Sequence, residues 1–186
     1  MPAGRLLFLS LLIAAGPGSA QRQAIDPKVR TSLTRIFGDS TAIVADTLPL
    51  SAADQEKIRE ASGSRWANNA VVIFRSITAG STLRGFGIQD DVRGKTQFIT
   101  YLTAVDTAGR VADVDVLTYR ESIGGEIAYE SFRKQFRDKT AADRLQPGRD
   151  IRNISGATIS VHAITDGVRR VLATLRILRP RLRVMR

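Results

Sequence analysis

Three hydroxyl side chains and two very small residues stand together in Ser155-Gly156-Ala157-Thr158-Ile159-Ser160. Directly behind them Val161, Ile164, Val168, Val171, Leu172 and Leu175 recur at steps of three and four, which predicts an amphipathic helix with one apolar stripe. The first amides of a helix have no intrahelical acceptor and lie at the positive end of its dipole. Hydroxyls placed there either cap the helix or join the free amides in holding an anion such as a phosphate. Gly156 and Ala157 would let an anion come close to the backbone. These residues leave both uses open, and capping is the commoner one. No histidine–acid pair adjoins Thr158, so its hydroxyl has no local activation as a nucleophile. The single histidine, His162, is expected as a partly exposed helix residue, although an imidazole is suited in kind to proton exchange.

The run from Ile154 to Ser160 resembles the signature S-G-A-T-x-[ST] of the FMN-binding domain family, which includes flavoprotein subunits of ion-translocating redox complexes. The resemblance extends over roughly Gly85 to Leu175 and is most specific at this motif. It implies FMN as cofactor, esterified through its phosphate to Thr158 by a separate exported flavin transferase that uses FAD and magnesium. Upstream, Tyr119-Arg120-Glu121-Ser122-Ile123-Gly124 is similar to the family's H-x-E-T-P-G loop. Glu121 and Gly124 match; tyrosine, serine and isoleucine replace histidine, threonine and proline. The implied cofactor residues are therefore Thr158, Ser155, Gly156, Ala157, Ser160, Glu121, Tyr119 and Gly124, with Tyr101 a further candidate beside the ring. Lys95, Phe136 and Lys139 resemble family positions more loosely. Arg152 stands three residues before Ser155, where the family often has aspartate. The function so implied is an electron-transfer carrier rather than a free-standing enzyme, working with a membrane or periplasmic redox partner. A non-catalytic flavin-binding or assembly module, or a degenerate domain without flavin, stays open beside it.

The elements that must position these residues follow from pattern. Asp26-Pro27 predicts a helix start, running to Arg35 and ended by Gly38; Ser51 with Asp54 forms a capping box for a helix over residues 52–61, ended by Gly63. Residues 21–65 thus read as an exposed helical preface of little apolar content. Residues 71–74 and 97–105 are β-prone, and Asp106-Thr107-Ala108-Gly109-Arg110 is a hairpin-length connection into a strand over 111–119. In that strand Val114 and Val116 alternate with Asp113 and Asp115, which predicts a half-buried antiparallel strand with a wet face. Asp113, Asp115, Asp90 and Asp91 are expected as solvated strand and turn residues, since no histidine or cysteine joins them as a metal ligand. Residues 126–139 are expected to be helical, with Ile127, Phe132 and Phe136 as apolar points, and Pro180 is expected to end the last helix. The expected fold is α+β: a mostly antiparallel sheet packed by the amphipathic C-terminal helix, in a single domain over residues 66–176.

Composition sets the class. The chain has 186 residues, 43% hydrophobic and 25% charged, as in an ordinary globular domain. Arg5, the apolar run over 6–15 and the small residues 16–20 predict a signal peptide over residues 1–20, and hence a periplasmic or extracytoplasmic location. That run is short against the ~20 residues that span a bilayer. No cysteine is present, which excludes disulfides, thiolate metal sites and lipoprotein acylation. The formal charge is +10, yet residues 1–168 carry only +3, because seven arginines and no acid follow from Arg169 onward. An exported chain with no nucleic-acid motif has no evident nucleic acid to meet. The basic tail over residues 177–186, with interleaved leucines, is expected either to touch a membrane surface or to end the helix as a disordered cationic segment.

Overall fold

The computed structural model describes residues 24–184, so the expected signal peptide lies outside the described residues. Helix α1 (Pro27–Phe37) starts where Asp26 accepts the Lys28 amide and ends at Gly38. Strand β1 (Thr41–Pro49) follows, then α2 (Ala52–Ser62), where Ser51 and Asp54 form the reciprocal capping box. Strands β2 (Ala70–Thr78), β3 (Leu83–Arg93), β4 (Phe98–Asp106) and β5 (Val111–Thr118) complete an antiparallel meander in the order β1-β2-β3-β4-β5. A short helix α3 (Glu130–Arg133) and the long α4 (Thr158–Val184) close the chain. The expected α+β class, with α4 packed on an antiparallel sheet, is what forms.

The sheet is covered on both faces. On one, α4 brings Val161, Ile164, Val168, Val171, Leu172 and Leu175 against Ile73, Ile88, Ile99, Val105 and Val114, with α2 adding Ile58. Burying one such aliphatic side chain contributes about 1.5–3 kcal/mol, so this stripe supplies the main driving force that fixes α4. On the other face α1 places Val29 and Leu33 on Phe74, Leu102 and Ala104. Residues 27–62 are therefore not an exposed preface: they contribute an edge strand paired along its whole length with β2, and a helix on each face. The β1 strand escaped the sequence reading because its buried residues, Ile43 and Leu48, lie an odd number of positions apart and serve opposite faces.

Three further expectations are corrected. First, Asp113 is 2% exposed and Asp115 is half-buried, so the second face of β5 is largely covered. Arg35 reaches Asp113 at 3.1 Å and Asp115 at 3.0 Å, Arg133 reaches Asp113 at 2.7 Å, and the Ser32 hydroxyl donates to Asp115. Carboxylates can be withdrawn from water there because α1 and the 130–137 segment deliver guanidinium groups to them. Asp90 is likewise buried. It accepts from the Tyr101 hydroxyl at 2.8 Å and pairs with Arg170, which stacks under Trp66. Burial pushes the Asp90 carboxyl above its usual range despite the guanidinium beside it. Asp91 is exposed, as expected.

Second, residues 126–139 are not one helix. A 3-10 turn (Gly125–Ala128), the single turn α3 and another 3-10 turn (Lys134–Phe136) succeed one another, interrupted by Tyr129 in an extended conformation. Ile127, Phe132 and Phe136 are buried all the same, the two rings edge to face at 5.5 Å. Third, Pro180 does not end α4, which runs to Val184. An internal proline costs about 3 kcal/mol. Leu178 and Leu182, on either side, are buried in the main core and together offset that cost, while Arg181 donates to the Pro49 carbonyl at 2.8 Å and to Asp54. These two leucines of the basic tail thus face protein. No helix among the described residues is long and apolar enough to cross a membrane.

Candidate functional site

The hydroxyl-rich segment forms a turn at the N-terminus of α4. The Ala157 amide donates to the Ile154 carbonyl at 3.0 Å, closing a β-turn whose third residue, Gly156, has φ +80°, the left-handed region glycine adopts without cost. Ala157 is buried, and its carbonyl accepts the Val161 amide at 2.9 Å as the first helical hydrogen bond. Thr158 is therefore the first residue of α4, and its side chain is exposed. The amides of Thr158, Ile159 and Ser160 precede any intrahelical acceptor, and no acidic residue occupies the first turn. The helix start is an uncompensated positive end with a hydroxyl on it.

Two loops converge on this turn. Gly124, at φ +93°, lies so close to it that a Cβ at that position would stand 2.6 Å from the Ala157 Cβ and 2.7 Å from the Tyr119 hydroxyl. The Tyr119 hydroxyl donates to the Ile123 carbonyl and lies 3.2 Å from the Ser160 hydroxyl, so it ties residues 119–124 to the first turn of α4. The second loop is residues 94–97, between β3 and β4. Glu121 holds it: one carboxylate oxygen accepts from the amides of Thr96 at 2.8 Å and Gln97 at 3.0 Å, the other from the Thr96 hydroxyl at 2.6 Å. The Thr96 hydroxyl, then the Gln97 and Thr96 amides, hold the Glu121 carboxyl down to about 2. Its charge is spent on the loop, and what the loop presents is Lys95.

Lys95, Glu121, Ser122, Ile123 and residues 156–160 line a cleft of about 250 Å³. That is below the roughly 300–1,000 Å³ of sites that enclose a drug-sized ligand, so it accommodates a polar end group and leaves a larger attached group outside. Beside the cleft Ile123 and Ile159 are 68% and 51% exposed, a pair of apolar walls open to solvent. The structure thus brings together Thr158, Gly156, Ala157, Ser160 and Glu121 as lining residues, with Tyr119 and Gly124 buttressing them. Ser155 sits exposed in the turn itself. Tyr101 is elsewhere, fully buried against Asp90. His162 is exposed on α4 and is not among the lining residues. Upstream, Asp150 accepts the Leu145 amide at 3.0 Å and the Gln146 amide at 2.6 Å, and the Arg152 amide donates to Gln135 at 2.8 Å, which fixes the approach to the turn. The walls Ile123 and Ile159 were missed as site residues. The signal for Ile159 was present: it is an isoleucine outside the apolar stripe of α4. Among the described residues no cluster of histidine, cysteine and acidic groups could hold a metal.

A turn with a left-handed glycine, a helix start without acid and an exposed threonine upon it suit an anion such as a phosphate. Residues 94–173 match the model of the FMN-binding domain family, a stretch that contains every residue lining the cleft. Over these residues the chain is similar to FMN-binding domains, and the cofactor that the match indicates is FMN. Among characterised proteins, the chain is similar to one subunit of the proton-translocating ferredoxin:NAD(+) oxidoreductase complex of Clostridium ljungdahlii, 27% identical over 132 residues that make up 67% of each chain.

Proposed function

We propose that this protein is an exported flavoprotein that carries FMN as a phosphoester on Thr158 and passes electrons to or from a membrane or periplasmic redox partner. The observation that carries the reading is the position of Thr158: an exposed hydroxyl on the first residue of α4, beside three amides without intrahelical acceptors. When bound, FMN supplies a centre that takes up and returns one or two electrons. The residues of this chain do the rest. The amides of 158–160 and Lys95 hold the phosphate end, Gly156 leaves the space it needs, and Ile123 and Ile159 offer the ring an apolar wall. In the attachment, the Thr158 oxygen bonds to the FMN-side phosphorus of FAD, AMP leaves, and the hydroxyl proton is lost. Among the described residues no histidine or carboxylate hydrogen-bonds the Thr158 hydroxyl, so a separate flavin transferase supplies the activation. A tether suits an exported chain, because flavin outside the cytoplasm is dilute. The residues 1–20 pattern supports export, and the relative named as a redox-complex subunit supports electron transfer.

The test is a denaturing gel viewed under ultraviolet light, with protein exported from cells that also make a flavin transferase. Wild type gives a fluorescent band and Thr158→Val gives none. A dark wild type, in cells whose transferase modifies a proven acceptor, removes covalent attachment. Potentiometric titration of the loaded protein then separates carrier from store: reversible reduction supports transfer, and flavin that no physiological reductant reaches refutes it.

A further inference from the structure

The far end of α4 carries a second, unrelated cavity. Phe86, Val105, Leu172, Leu175 and Leu182 line a space of about 240 Å³ closed over by the β4–β5 hairpin and residues 140–142. Arg176 is 18 residues from Thr158 along α4, about 27 Å at 1.5 Å per residue, so this is not the flavin cleft.

Its charges are unusual for an apolar space. Arg176 and Arg179 both line it and both are exposed, and among the described residues the Arg176 guanidinium makes no hydrogen bond or ion pair. Arg179 has only the Thr107 carbonyl, at 3.4 Å. The one acid in the lining, Asp106, turns an oxygen back to the Ala108 and Arg110 amides at 2.9 and 2.8 Å, capping its own hairpin. The apolar room also continues: Thr107 and Leu182 line a neighbouring cavity with Ile77 and Leu83.

We infer that this cavity binds a single-chain anionic amphiphile, its chain laid along the leucines and its carboxylate on Arg176 and Arg179. Two guanidiniums without an ion-pair partner at an apolar space complement that chemistry: the fork geometry suits a carboxylate and the interior suits a hydrocarbon. The inference is independent of the flavin reading.

Isothermal titration of the full chain with hexanoate, octanoate, decanoate and decanol tests it, beside phosphatidylglycerol vesicles. Affinity for the carboxylates rises with length, by up to about fourfold per buried methylene. Decanol binds at least about tenfold more weakly than decanoate, and Arg176→Gln with Arg179→Gln lowers decanoate affinity to the same extent. Ala108→Trp, at an exposed position that lines the cavity, blocks binding without disturbing the core, while Thr158→Val binds as wild type does. Equal affinity for acid and alcohol, an unaffected double arginine variant, or binding to vesicles alone overturns the inference.

Discussion

Three glycines give a measurement of how tightly the 119–124 loop is pressed onto the start of α4. Gly125 has an ordinary φ and nothing within 4 Å of a built Cβ; Gly109 has φ +91° and nothing within 4 Å; Gly124 has φ +93° and would set a Cβ 2.6 Å from the Ala157 Cβ and 2.7 Å from the Tyr119 hydroxyl. Each changed to alanine isolates one cost. Gly125→Ala carries neither and stays within about 1 kcal/mol of wild type, on the stabilising side through the less flexible unfolded chain. Gly109→Ala carries the left-handed backbone cost of about 1–2 kcal/mol, part of which the same unfolded-state effect offsets. Gly124→Ala carries that cost and overpacking besides, which adds about 1–3 kcal/mol because Ala157 is buried and its backbone opens the helix. The total is about 2–4 kcal/mol, or a fall in Tm of about 4–16 °C for a domain of this size. Thermal unfolding followed by circular dichroism reads all three. If Gly124→Ala falls within about 0.5 kcal/mol of Gly109→Ala, the loop is not seated on the helix start and the cleft described above does not exist in that form.

Other outcomes follow from particular contacts. Glu121 has its carboxyl held to about 2, against an ordinary 4.5, so what it adds to stability is complete above about 4.5 and is lost as pH falls through about 2. Urea midpoints of wild type and Glu121→Gln should therefore differ at pH 7 and converge near pH 2; a constant gap would deny the carboxylate this part. Asp90→Ala leaves the Arg170 guanidinium, 13% exposed, without its partner and should cost about 3–5 kcal/mol in urea denaturation, where a cost below 1 would mean that Arg170 finds water. Leu178→Ala should cost about 2–5 kcal/mol, since Leu178 is fully buried; a neutral result would return the end of α4 to solvent.

What could be taken from the sequence was whatever repeats or caps locally. The α4 stripe, the β4–β5 hairpin and the Ser51–Asp54 capping box each announce themselves within a few residues, and each formed. Features decided at a distance were misjudged. The alternation of valine and aspartate in β5 was correct, but the burial of Asp113 depends on Arg35, 78 residues before it. Pro180 was expected to stop a helix that tertiary burial of Leu178 and Leu182 carries through. At the site the turn and Thr158 were legible from types and spacing; Glu121, expected at the site, does line the cleft, but its engagement with Thr96, 25 residues earlier, was not legible. No local pattern says which donor a carboxylate will find.

The same distances bear on how the cleft comes into being. Its contacts span 25 residues between Thr96 and Glu121 and 41 between Tyr119 and Ser160, so none can persist until the β3–β4 hairpin has closed and α4 has docked. Closing loops of that length costs entropy that only the assembled core returns. The cleft is consequently a late product of folding, present in full or not at all. A synthetic peptide spanning residues 151–162 would contain the whole hydroxyl-rich segment yet would lack the site, and an enzyme that modifies Thr158 in this setting would be reading a folded surface and not a string of letters.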